Sequence, residues 1–181
     1  MANTGWIAGN ASSGNAFFCS SAVYAVLQSA VAFVVSTGRD TCSVTGFSGT
    51  ISGTVTGVEV QLYGHYNTNG VNHVGVQISN NGGSSFSSAI NTADFGGSAT
   101  DYVLGGSTND WGLSWGGFSD LSNLQLKSVA AGGVVAVGTH AEMKVYYTPS
   151  GYGNDVMGID SSDISIVNGI ATANISKVNG V

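Results

Sequence analysis

Three histidines, His65, His73 and His140, fall in three separate strand-like stretches of the sequence. His65 and His73 flank a hairpin-like turn and could approach one another. Two imidazoles and a carboxylate can hold zinc. Neither an HxH nor an HExxH spacing occurs, so the histidines are expected to be structural and no metal is expected. Four aspartates, Asp94, Asp101, Asp110 and Asp120, sit in a Gly/Ser/Thr-rich middle region. Calcium loops array carboxylates as a DxDxDG ladder, which is absent, so these residues read as turn formers. Glycoside hydrolysis needs two carboxylates held face to face, and no pair is marked out for that role. GxSxG elbows, phosphate loops and CxxC pairs are also missing. The stretch SGTISGTVTG, at 48–57, has the glycines of a phosphate loop but no lysine and no following helix. The expectation is a non-enzyme with no catalytic residue and no cofactor.

The aromatic residues offer a different chemistry. Trp111-Gly-Leu-Ser-Trp115 sets two indoles four residues apart, close to Asp110 and Asp120. Exposed, Trp111, Trp115 and Tyr102 could stack on sugar rings while Asp110 or Asn109 takes the hydroxyls. The preferred alternative is that the tryptophans plug an open end of the fold, where large rings bury much area.

The elements that would position these residues are strands. In VTGVEVQLYGHY, Val58, Val60 and Leu62 share one face, and Glu59, Gln61 and Tyr63 share the other. In HVGVQIS, Val74, Val76 and Ile78 line one face. In HAEMKVYYT, Ala141, Met143, Val145 and Tyr147 alternate with Glu142, Lys144 and Tyr146. This period of two marks half-buried strands. Asn-Gly and Gly-Gly pairs punctuate them. Within the body only Ser119 to Asn123 suggests a short helix. The fold class expected is all-β: a jelly-roll-like antiparallel β-sandwich with a short C-terminal appendage.

Composition supports a folded chain. Of 181 residues, 43% are apolar, only 8% are charged and 28 are glycine; disordered chains show the reverse balance of charge and hydrophobicity. The net charge is −6, and the four cations, Arg39, Lys127, Lys144 and Lys177, are scattered. Nucleic-acid binding needs clustered cations, so no nucleic-acid partner is expected. Ala16 to Val35 is long enough to span a bilayer, but Ser20, Ser21, Gln28 and Ser29 interrupt it and no basic residue precedes it. It reads as one or two buried strands, with no membrane partner and no targeting signal. The two cysteines, Cys19 and Cys42, read as small buried hydrophobes in preference to a bridge.

Pro149 is the sole proline and opens a run of breakers. This divides the chain into a sandwich domain at 1–149, a connector at 150–159 and a repeated apolar segment at 160–181. That last segment says one phrase twice, Ile-Ser-Ile-Val-Asn-Gly-Ile and Ile-Ser-Lys-Val-Asn-Gly-Val, at an offset of eleven residues. Each unit fits a short helix ended by Asn-Gly or a short strand followed by an Asn-Gly turn. Neither is stable alone. Ile164, Val167, Ile170, Ile175, Val178 and Val181 form an apolar set that must dock somewhere, and an intermolecular contact is preferred over a core-completing tail.

The body resembles a recurrent β-sandwich domain of tailed-phage structural proteins, of fibre or decoration type. The likeness covers roughly residues 5 to 150 and rests on ordered pieces. These are Gly5-Trp6 with AFFCSSAVYAV, then SGTISGTVTGVEVQLYGHY, then YVLGGSTNDWGLSW, and last the strand ending MKVYYTPSG. Departures are the glycine-softened Trp115-Gly-Gly-Phe118-Ser-Asp120-Leu121 segment and the missing proline-rich entrance to the second piece. The tail, Ala173-Asn174-Ile175-Ser176-Lys177-Val178-Asn179-Gly180-Val181, is similar to Ala-Asn-Ile-x-Lys-Val-x-Gly-Val repeats of other phage structural proteins. The resemblance implies a non-enzymatic virion component, whether capsid decoration, fibre or tail-associated protein. Its partners would be other virion proteins of capsid or tail, with homo-oligomers such as trimers expected and host glycans a further candidate. Localisation would be the virion. The family contributes no catalytic residues.

Overall fold

The computed structural model describes residues 1–14, 33–35, 41–66, 73–131, 136–150, 166–167 and 170–171. Thirteen strands run through them. They are β1 (Ala2–Asn3), β2 (Ile7–Ala8), β3 (Ala11–Gly14), β4 (Phe33–Val35), β5 (Thr41–Thr45), β6 (Gly53–Tyr66) and β7 (His73–Ser79). Then come β8 (Ile90–Asn91), β9 (Thr100–Gly105), β10 (Gln125–Ala131), β11 (Ala136–Pro149), β12 (Ile166–Val167) and β13 (Ile170–Ala171).

Two antiparallel sheets make the sandwich. In the first, β11 lies between β6 and the short strands β1, β2 and β4, and β9 forms the far edge beyond β6. The second runs β3-β5-β10-β7-β8. From β5 onward the chain passes repeatedly between the sheets, β5 to β6 to β7 and β9 to β10 to β11, as the jelly-roll-like expectation requires.

The alternation read in the sequence becomes the core. Val58, Val60 and Leu62 of β6, Val74, Val76 and Ile78 of β7, and Ala141, Met143 and Val145 of β11 are all fully buried in one apolar cluster. Each valine, leucine, isoleucine or methionine among them contributes about 1.5–3 kcal/mol by leaving water. The opposite residues of β6 and β11 face outward. The expected short helix is a single 3-10 turn, Leu121–Asn123, capped by Asp120, whose carboxylate accepts from the Ser122 N–H. Among the described residues no helix is long and apolar enough to cross a membrane.

Two expectations change. Cys42, fully buried, is disulfide-bonded rather than a free thiol; the chain's other cysteine is Cys19. Spacing of 23 positions gave no sign of a pair, because only strand placement decides which sulfurs meet. In the tail, β12 and β13 pair antiparallel, Ile166 with Ala171 and Val167 with Ile170, on either side of Asn168-Gly169 in sequence. The strand reading therefore replaces the helical one for that part of the first unit. Ile164, Ile175, Val178 and Val181 lie outside the described residues, as does most of Ala16 to Val35.

Candidate functional site

The loop after β9 was the sequence's aromatic candidate. Gly105 and Gly106 turn the chain at positive φ, and Trp111 itself sits at a left-handed φ of 58°. That conformation is unfavourable for a bulky residue and persists only when the surroundings over-determine it. Here they do. The Trp111 indole N–H donates to the Val58 carbonyl at 2.9 Å, and its backbone N–H donates to Asn109 Oδ1 at 2.9 Å. The Val58 N–H donates in turn to the Asn109 carbonyl at 2.9 Å. A side chain at Gly105 would collide with the Val58 carbonyl and come within 2.8 Å of the Trp111 indole nitrogen. Trp115 donates its indole N–H to the Asp110 carbonyl at 2.9 Å and stands edge-on to Phe118 at 5.0 Å. Tyr102 packs 4.2 Å from Phe95, and its hydroxyl accepts from the Gly96 N–H at 2.8 Å. Asp110 is exposed but binds its own loop at the Gly112 N–H.

Trp111, Trp115 and Tyr102 are 4%, 7% and 9% exposed. Their rings belong to the buried core. The preferred reading of buried rings matches this burial, and each polar tip finds a backbone partner that lets its ring turn inward.

Among the described side chains one histidine and one loop acid meet. His73 Nδ1 lies 3.5 Å from Asp94 Oδ1, and His65 stands on β6 opposite Val137. Among the described residues no three His, Cys, Asp or Glu side chains form a group able to hold a metal ion. A shallow polar hollow of about 370 Å³ is lined by Asn80, Asn81, Ser114, Ser119, Asp120 and Asn123 among others. The Ser122 backbone N–H holds the Asp120 carboxyl below the usual carboxylate range.

The most organised polar cluster lies elsewhere, on the outward face of the first sheet. Register places Glu59 of β6 directly opposite Lys144 of β11. Lys144 Nζ is 3.0 Å from Glu59 Oε2, and the Tyr146 hydroxyl donates to that same oxygen at 2.6 Å. Trp6 covers the pair, with Lys144 Nζ 3.9 Å from its ring centroid. Trp6 is held by its neighbours: Thr4 donates from its N–H to the Val145 carbonyl, and the Val145 N–H donates to Thr4 Oγ1. Gly5 makes the turn at φ 69°. The Glu59 and Lys144 side chains are 19% and 18% exposed, low for residues that face away from the core. Burial pushes the Glu59 carboxyl upward, but the Tyr146 and Lys144 hydrogen bonds and the lysine charge outweigh it and hold it lower. Burial pushes Lys144 downward, and Glu59 outweighs this and raises it. Tyr146 is raised first by its bond to Glu59.

The same face continues along β6. Gln61 lies between Glu142 of β11 and Val103 of β9, and Tyr63 lies opposite Asp101. Tyr63 and Val103 are the exposed large apolar residues here, at 37% and 51%. The alternating pattern gave these side chains their outward direction. It could not give the cross-strand register, nor bring Trp6 from the N-terminus over Lys144.

No family model and no curated protein matches the chain. Among solved structures it is similar to the Clostridium thermocellum N-terminal endo-1,4-β-D-xylanase 10B, CBM22-1–GH10 modules complexed with xylohexaose. The identity is 12% and the TM-score 0.40, over 77% of this chain and 26% of that one. At that depth the likeness carries no functional weight.

Proposed function

We propose that the chain is a non-enzymatic structural protein of a phage virion. Its sandwich is displayed outward, and its C-terminal repeat contacts a capsid or tail partner or a sister subunit. The observation that supports this reading is that, among the described residues, the tail strands β12 and β13 pair only with each other. The last sandwich strand ends at Pro149, and the Ser150 N–H closes the edge by donating to the Ser52 carbonyl at 3.0 Å. Beyond it, β12 and β13 pair with each other as a two-stranded sheet that belongs to neither sandwich sheet. Such a hairpin is marginal by itself in water, and the apolar repeat around it needs a surface to cover. The phage resemblance of both body and tail supplies the class of partner.

The test is removal of 160–181. The shortened chain should keep the β-sheet circular dichroism and the melting transition of the full chain. It should lose incorporation into particles and any concentration-dependent self-association seen by sedimentation. Incorporation at normal occupancy without the repeat would end the anchoring idea. Loss of folding would show instead that the repeat completes the core.

A further inference from the structure

We infer that the outward face of the first sheet, from Trp6 to Tyr63, binds a neutral, extended oligosaccharide. The inference is independent of the virion reading and places glycan contacts on a different surface from the tryptophan loop. Three features carry it.

The first is spacing. Glu59, Gln61 and Tyr63 succeed one another on the same face of β6, so the ends of the row are about 13 Å apart. Trp6 and Tyr146 stand over the Glu59 end, and the exposed Tyr63 ring stands at the other. Two aromatic stations at that separation suit stacking on rings two or three sugars apart in one chain.

The second is preorganisation. Trp6 is seated on Lys144, and Lys144 and Tyr146 are fixed by Glu59. A ligand meeting this cluster has little side-chain ordering left to impose.

The third is the match of donors and charge. Both protein bonds to Glu59 land on Oε2, which leaves Oε1 to accept a hydroxyl. Gln61 adds an amide beside it. Asp101 adds a carboxylate to the same face, and Lys144 is already paired with Glu59. Among the described residues of this face the one lysine is already neutralised, so it offers no cation cluster to sulfated, uronic or phosphate-bearing polymers. It fits a neutral ligand that offers many hydroxyl donors and flat apolar ring faces.

The experiment is a titration of the full chain, by calorimetry and by backbone NMR shifts, with neutral hexaoses of β-1,4-linked glucose, xylose, mannose and N-acetylglucosamine. Dextran sulfate and a lysine-rich peptide serve as charged probes. At least one neutral hexaose should bind with a Kd below about 1 mM and shift the amides of β6, β9 and β11. Tyr63→Ala and Gln61→Ala alter exposed or half-exposed side chains, so each should weaken binding about tenfold or more with an unchanged melting temperature. Trp111→Phe should leave affinity unchanged. Absence of binding to all four neutral hexaoses overturns the inference. Unchanged affinity in both β6 variants overturns it too, as does capture of the peptide or the sulfated polymer in place of the hexaoses. Particle incorporation tests the virion reading separately, so the two can fail independently.

Discussion

Replacing Trp111 separates a structural ring from a binding platform. The residue is 4% exposed, and its indole N–H donates to the Val58 carbonyl at 2.9 Å. In Trp111→Phe that bond is lost, but the Val58 carbonyl keeps the Gly106 N–H at 3.0 Å and is not orphaned. The hydrogen bond then costs about 1 kcal/mol, and the missing pyrrole volume adds a similar amount, for about 2 kcal/mol in all. Trp111→Ala also leaves a ring-sized cavity and should cost about 3–5 kcal/mol. In a chain of 181 residues that lowers the melting temperature by roughly 10 °C. Urea unfolding followed by far-ultraviolet circular dichroism gives both values, and an unchanged m-value would show that the denatured state is not the cause. If Trp111→Ala melts within about 2 °C of the parent yet abolishes oligosaccharide binding, the ring is a platform and the assignment of the loop as a structural cap is wrong.

Three further outcomes follow from neighbouring contacts. Gly105→Ala, at φ 80° and against the Val58 carbonyl, should destabilise by more than about 1 kcal/mol and alter tryptophan fluorescence as the Trp111 seat shifts; an unperturbed spectrum would contradict the packing. Reduction of the disulfide at Cys42 should cost about 2–5 kcal/mol, read as a lower melting temperature with reductant. Glu59 has a lowered folded-state pKa, so its contribution is present above the ordinary carboxylate range and lost as pH falls through the folded value. The acid arm of the stability profile should therefore flatten in Glu59→Gln, whereas an identical acid arm would show that the carboxylate is not stabilised on folding.

How much was legible in the sequence depends on whether a feature is local. Alternation in β6, β7 and β11 is local, and Val58, Val60, Leu62, Val74, Val76, Ile78, Met143 and Val145 are core as the period-two reading required. The Asp120 cap is also local, and its turn was legible to within a residue or two. Pairing is not local. Nothing in the spacing of Cys19 and Cys42 reveals that Cys42 is bridged, and nothing in Glu59 or Lys144 alone reveals that they sit opposite one another. The Asn-Gly ending of the tail unit suits a helix stop and a hairpin turn equally. The pairing of Val167 with Ile170 settles it for that unit, since two strands satisfy backbone groups that a helix of so few residues leaves open.

The tryptophans show most clearly what a sequence withholds. Trp111 and Trp115 stood beside acids in a turn-rich loop and could be read as plugs or as exposed platforms, with plugs preferred, while nothing in the sequence marked Trp6. Exposure is decided by what each indole finds. Trp111 and Trp115 find backbone carbonyls at 2.9 Å, from Val58 and Asp110, so their N–H groups are satisfied and their rings can be buried without penalty. Trp6 finds a cation. Its ring lies over Lys144, and that lysine faces outward because Met143 and Val145 on either side face the core. A ring anchored on an outward lysine must stay at the surface. The strand parity that builds the core thus also keeps the Trp6 ring on the outward side of the first sheet.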